Sequence, residues 1–320
     1  MKNTVENLRN LAKKLLTEKQ VDFIIGYGNG SDLYRTTPVF ISQPEDVDKL
    51  TWSPFCINNL SKYLLDDRAY EGKIGIVVKG CDSRAINRLI QDKQVKRENI
   101  VVIGIPCSGQ LDPKKLNSSL DTNSAYIEAS NNGEAYVVKS DSGEATFAKK
   151  DTLWDKCLTC ESPNPVVADH VVGDKVDAKA PAQDYAEVLE IEKMTPEERN
   201  AYWEKMFSRC VRCYACRNVC PACSCTSCVF DDHAQVWYGK TTNSTENHNF
   251  HITRAMHVAG RCVDCGECDR VCPMDLPLRK INKKIQKDMK ELFSMPTPGL
   301  EIEDESTLGR YAPQDPEEFM

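Results

Sequence analysis

The segment from Cys210 to Cys228, CVRCYACRNVCPACSCTSC, places seven of the chain's sixteen cysteines within nineteen residues. Thiolates are soft ligands for iron and zinc, and clustered cysteines in a reducing compartment usually mean metal rather than disulfides. Cys210, Cys213, Cys216 and Cys220, followed by Pro221, are spaced C-x2-C-x2-C-x3-C-P. The same spacing returns at Cys262, Cys265, Cys268 and Cys272, followed by Pro273.

This spacing is that of bacterial two-cluster ferredoxins, in which the fourth cysteine of each run ligates the other cluster. Three cysteines in one tight loop wrap three irons of a cubane, and the fourth starts a helix that points at its neighbour. The expected ligand sets are Cys210, Cys213 and Cys216 with Cys272, and Cys262, Cys265 and Cys268 with Cys220. Zinc knuckles would use two Cys-x2-Cys halves and some histidine; two complete runs, each ending in proline, argue against them.

Five cysteines remain in this half. A third cluster would draw Cys157 and Cys160 from KCLTCESPNP, with Cys225 and Cys228 from PACSCTSC; Cys223 can take the place of Cys225. Two Cys-x2-Cys halves also make a four-thiolate zinc site, so zinc competes here. A fourth cluster recruiting the scattered Cys56, Cys81 and Cys107 is not expected. His170, His233, His248, His251 and His257 show no ligand spacing, and Trp52, Trp154, Trp203 and Trp237 read as packing.

The elements that carry these residues divide the chain. The first half reads as α/β. VDFIIGYG (21–28) and KIGIVVKG (73–80) are buried-strand runs. The turn GCDSRA, a helical stretch AINRLIQDKQ and a third strand run, NIVVIGIPC (99–107), complete a βαβ unit and a parallel sheet. A hairpin follows, SAYIEAS and EAYVVKS around NNG, with a second turn at SDSGE. The stretch 171–194 has linker composition. A helix starts at TPEE with Thr195 as N-cap, Pro196 in the first turn and Glu198 completing a capping box. It runs into the cysteines, with a further helix expected at 251–259 and a basic amphipathic one over LRKINKKIQKDMKELF. The expected organisation is an α/β domain at 1–170, a linker at 171–194, a ferredoxin-like two-[4Fe–4S] domain at 195–293 and an acidic tail at 294–320.

Composition narrows the function. The net charge is −7, and the last twenty residues carry seven acids against one arginine, as in a solvated or partner-bound arm. No basic stripe interleaved with aromatics points to nucleic acid. No apolar run approaches the roughly 18 residues of a membrane helix. The N-terminus, with Val5, Leu8, Leu11 and Leu15 at helical spacing, lacks signal-peptide character, so the expected location is the cytoplasm.

The turn VVKGCDSRAIN is the candidate ligand site of the first half. It follows a buried strand and opens a helix, where backbone N–H groups and the helix dipole can receive a phosphate. Asp82 or Ser83 can cap the helix, Lys79 and Arg84 add positive charge, and Gly80 permits close approach. The end of the next strand, IGIPCSG, lies beside it in any βαβ unit. An ordinary strand–helix turn with a good cap is the alternative. Nothing in the sequence assigns a catalytic residue.

The motifs VVKGCDSRAI, VIGIPCSG, KCLTCESPNP and FSRCVRCYACRNVCPACSC resemble the coenzyme F420 hydrogenase/dehydrogenase β-subunit family, over most of residues 20–275. The resemblance is nearest to iron–sulfur subunits serving heterodisulfide-reductase-like and formate-dehydrogenase modules. It implies a flavin-binding α/β core holding FAD, a cluster beside it and a ferredoxin-like pair leading to a partner, three [4Fe–4S] clusters in all. It favours iron–sulfur over zinc at Cys157 and Cys160. It also makes Lys79, Gly80, Cys81, Asp82, Ser83 and Arg84 a flavin-contacting loop, with Cys107 close by. The implied role is a redox subunit active within a complex, passing electrons between F420, NAD(P)H or a formate- or hydrogen-oxidising subunit and a partner. The alternatives are an electron-transfer module without flavin and the iron–sulfur subunit of an anaerobic sulfite-reductase-type system.

Overall fold

A computed structural model describes residues 2–31, 35–66, 72–117, 126–131, 133, 135–140, 143–177, 185–231 and 238–303. The acidic tail beyond 303, His233, Trp237 and parts of both turns around the expected hairpin lie outside them. The chain forms two compact units, Met1–Ile86 with Val95–Gln183, and Asn87–Gln94 with Asp184–Met320.

The first unit opens with helix α1 (Lys2–Thr17), whose Leu8, Ala12, Leu15 and Leu16 are buried. Strands β1 (Phe23–Asn29) and β2 (Thr36–Ile41) pair antiparallel. Strand β3 (Ile74–Val78), helix α2 (Gly80–Gln91) and strand β4 (Ile100–Gly104) form the expected βαβ unit. Every residue of β3 and β4 is buried, as continuous apolar runs require when a parallel strand is covered on both faces. Short helices α3 (Pro113–Asn117), α4 (Lys149–Thr152) and α5 (Asp155–Leu158) frame the connection that follows. Between them lies an antiparallel meander of β5 (Tyr126–Asn131), β6 (Ala135–Ser140) and β7 (Gly143–Ala148). Strand β8 (His170–Val171) closes the main sheet, whose order is β2-β1-β3-β4-β8. That sheet is parallel except at β2, so it is mixed rather than wholly parallel.

The meander backs the loop after β4. Tyr136 and Val138 pack with Phe55, Leu111, Leu116 and Leu153, and the Tyr136 hydroxyl donates to the Gly109 carbonyl at 2.9 Å.

In the second unit, α6 (Ala186–Glu192) lies within the stretch of linker composition. Helix α7 (Pro196–Phe207) has the capping box: Thr195 accepts from the Glu198 N–H, and Glu198 accepts from the Thr195 N–H. One-turn helices α8 (Ala215–Asn218) and α10 (Glu267–Arg270) hold Cys216 and Cys268. Helix α9 (Ser244–His257) fills the interval between the two cysteine runs, and α11 (Leu278–Phe293) follows them. Phe207, Phe230, Phe250, Leu276, Leu278 and Ile281 form the core together with Cys216, Cys268 and Cys272. Trp203 stacks on Phe207 at 5.4 Å, and Trp52 meets Tyr27 edge-on at 5.7 Å, so both are packing residues. No helix among the described residues is long and apolar enough to cross a membrane.

Candidate iron–sulfur centres

The two cysteine runs fold alike. In the first, Arg212 and Tyr214 have φ of 52° and 60°; in the second, Asp264 and Gly266 have φ of 55° and 66°. Left-handed residues two and four places after the leading cysteine curl each run into the same loop. Three of the four are not glycine, so the surrounding structure must hold them there. It does so differently in each loop. For the first, Asn247 on α9 donates its amide to the carbonyls of Phe207 (3.0 Å) and Cys210 (2.9 Å). Arg212 donates to the carbonyls of Glu246 (2.7 Å) and Gly239 (3.0 Å). For the second, Arg279 on α11 pairs with Asp264 at 2.6 Å, and its N–H donates to Asp269 at 2.7 Å.

The fourth cysteines cross over. Burial raises the pKa of Cys210 and Cys216, and the nearby Cys272 thiol adds to the rise at both. Burial likewise pushes Cys262 up to about 12, with a contribution from Cys220. Cys272 therefore neighbours the first loop and Cys220 the second. Backbone N–H groups of Arg212 and Leu276 donate to the sulfurs of Cys210 and Cys272, each at 3.4 Å. Such donors stabilise sulfur that carries negative charge.

A second group of thiols lies within the first unit. Burial pushes Cys160 up to about 12, with contributions from Cys157 and Cys107. Cys157 is raised by burial and then by Cys107, and Cys81 is raised by burial with Cys160 among its neighbours. Cys81 and Cys107 follow β3 and β4, while Cys157 and Cys160 are carried by α5 and the loop after it. Gln110 ties two of them, donating its side-chain amide to the Cys107 sulfur (3.2 Å) and its backbone N–H to that of Cys157 (3.4 Å). Cys225 and Cys228, expected beside Cys157 and Cys160, belong to the second unit. There Cys223 hydrogen-bonds Cys220 and lowers its pKa, while Cys225 is exposed. Among the described residues no three Cys, His, Asp or Glu side chains form a site for a single metal ion.

The turn after β3 is closed where the sequence suggested an open phosphate site. A Cβ built on Gly80 would lie 1.8 Å from the Ser162 carbonyl oxygen and 2.8 Å from that of Asn164. Gly80 does permit a close approach, but of the chain's own backbone. Lys79 and Asp82 form a buried ion pair at 2.9 Å, and Lys79 also donates to the Asn58 carbonyl at 2.8 Å and to the Tyr27 hydroxyl. Asp82 accepts the Lys79 N–H at 3.0 Å, and Ser83 accepts the Val166 N–H at 2.9 Å. Arg84 is buried. Carbonyl oxygens over the helix N-terminus and a lysine neutralised by a buried carboxylate do not fit a flavin phosphate. They fit the expected alternative, a well-capped strand–helix turn.

Asn247, Arg279 and Gln110 were not singled out in the sequence. No spacing rule marks them, since each acts on a residue 15 to 47 positions away in the sequence.

A 4Fe–4S dicluster domain model matches residues 206–276. The chain is 25% identical to the F420-dependent formate dehydrogenase subunit beta of Methanocaldococcus jannaschii over 345 residues, 88% of each chain. It is 27% identical to the F420-dependent formate dehydrogenase 1 subunit beta of Methanococcus maripaludis over 364 residues, 95% of this chain and 92% of that one. A solved structure of the F420-reducing [NiFe] hydrogenase complex from Methanosarcina barkeri overlaps 50% of this chain and 62% of its own, at 20% identity and a TM-score of 0.39. The chain is thus similar over most of its length to F420-dependent formate dehydrogenase β subunits, and its residues 206–276 match a 4Fe–4S dicluster domain.

Proposed function

We propose that the chain is the electron-relay subunit of a formate- or F420-linked oxidoreductase complex, with three [4Fe–4S] clusters. Two would be held by Cys210, Cys213, Cys216 and Cys272, and by Cys262, Cys265, Cys268 and Cys220. The third would be held by Cys81, Cys107, Cys157 and Cys160, in place of the set completed by Cys225 and Cys228. The observation that carries this reading is that each proposed set lies within one unit, with its members as near neighbours.

When bound, such clusters supply one-electron redox chemistry. The chain's part is to hold and tune them. Cysteine sulfurs would ligate, and the N–H groups of Arg212, Leu276 and Gln110 would stabilise negative sulfur. The apolar core of the second unit buries Cys216, Cys268 and Cys272, while Cys213 is exposed.

The closed turn at Gly80 favours relay without a flavin at that position. The motif resemblance, which implies an FAD, gives a second reading, in which the flavin is held elsewhere in the first unit. Metal analysis and acid release of flavin from anaerobically prepared protein test both. The relay predicts about twelve irons per chain, about four for each cluster, and no flavin. About eight irons with one zinc would replace the third cluster by zinc. About four irons or fewer would sink the ferredoxin assignment.

A further inference from the structure

Helix α9 carries Arg254 into the interior of the cluster-bearing unit, where it is 3% exposed. One guanidinium N–H donates to the Cys216 carbonyl at 3.1 Å, and its Nε finds no hydrogen-bond partner. Among the described residues no carboxylate pairs with it, unlike buried Arg279 and Arg261, which meet Asp264 and Asp92. A guanidinium keeps its proton at any accessible pH, so the charge is permanent. Burying it costs several kcal/mol unless an anion compensates.

The surroundings identify the anion. Cys220, Cys268, Cys216 and Cys223 are its sulfur neighbours, and Ala255, next to it on α9, packs in one core with Cys216, Cys268 and Cys272. Cys216 belongs to the first proposed ligand set, and Cys220 and Cys268 to the second. One cation therefore faces both, and the negative charge that would offset it is that of the ligated clusters themselves.

Resting on the dicluster reading above, we propose that Arg254 is a shared counter-charge to the two clusters of the second unit and raises the reduction potential of both. Each one-electron reduction adds a negative charge and breaks no bond. A fixed cation in a low-dielectric interior stabilises the reduced form more than the oxidised one. Because α9 lies between the two cysteine runs in sequence, this charge comes from a segment that supplies no ligand.

The test is potentiometric titration of the anaerobic full-length protein, followed by EPR, for wild type, Arg254→Gln and Arg254→Lys. In Arg254→Gln, both clusters should become harder to reduce. The reduced-to-oxidised ratio at a fixed ambient potential should fall about tenfold, equivalent to about 59 mV for a one-electron couple. Arg254→Lys keeps the charge and should restore most of that ratio. Loaded Arg254→Gln with both midpoints unchanged overturns the proposal, as does Arg254→Lys shifting as far as Arg254→Gln. If Arg254→Gln does not assemble its clusters, wild-type protein labelled with 15N-arginine decides by ENDOR together with Arg212→Lys. A nitrogen coupling on both reduced clusters that survives Arg212→Lys is expected, and its absence from either overturns the proposal. Wild-type protein with too little iron for two clusters defeats the dicluster reading instead, so the two failures are distinguishable.

Discussion

Gly80 and Ser162 are in backbone contact: a Cβ at residue 80 would sit 1.8 Å from the Ser162 carbonyl oxygen. The first residue of α2 is thereby locked to the loop that carries Cys157 and Cys160. The loop is pinned again by Asn164, which exchanges two hydrogen bonds with Val176, at 2.7 and 2.9 Å. Neither carbonyl can yield to a new methyl group without moving the loop.

Gly80→Ala should therefore disturb the thiol group of the first unit. Iron content should fall by about four per chain, while both EPR signals of the dicluster domain remain. A variant with full iron would show that the loop relaxes without loss of ligation.

Cysteine replacements distinguish the two possible third sets. Cys107→Ser should remove about four irons, and Cys225→Ser should remove none. The opposite pattern would restore Cys225 and Cys228 as ligands.

Cys272→Ser tests the crossing. It should damage the cluster of Cys210, Cys213 and Cys216, 56 to 62 residues upstream. Loss of the Cys262, Cys265 and Cys268 signal instead, with the other intact by EPR, would mean sequential ligation.

Asp82→Asn should leave Lys79 as an uncompensated buried cation. Breaking a buried pair in this way costs about 3–5 kcal/mol, measured by denaturant unfolding of the variant against wild type. A loss below about 1 kcal/mol, typical of exposed pairs, would show that the Tyr27 hydroxyl and the Asn58 carbonyl suffice for Lys79.

His251 should make the second unit acid-sensitive. Burial, then the charges of Arg254 and Arg212, hold its pKa down to about 3 against an ordinary 6.5, and it stacks on Phe207 at 4.6 Å. Between those values the unfolded chain takes up a proton that the folded one refuses. Stability falls as pH drops below 6.5, by about 1.4 kcal/mol per unit for this group. His251→Phe should flatten that part of the profile in denaturant titrations; an unchanged slope would assign the sensitivity elsewhere.

Local physics made much of this protein legible. The capping box joins Thr195 and Glu198, three positions apart, and folded as expected. The apolar runs of β3 and β4 announced buried parallel strands, and the helical period marked α11 at Leu278–Phe293. The C-x2-C-x2-C-x3-C-P spacing specified two like loops, because ligand spacing is a property of a short contiguous segment. By contrast, TTPVFI carries a proline and a partly exposed edge, and its pairing with β1 as an antiparallel edge strand left no clear alternation to read. The βαβ logic put the ends of β3 and β4 side by side, and with them Cys81 and Cys107. That the Cys157–Cys160 loop returns to the same place, covering Gly80 and closing the expected phosphate site, depends on contacts across about eighty residues. No local period encodes such a contact. The same holds for Arg254, which reads in sequence as one arginine on a polar helix; only packing strips it of water and leaves it facing thiols from both cysteine runs.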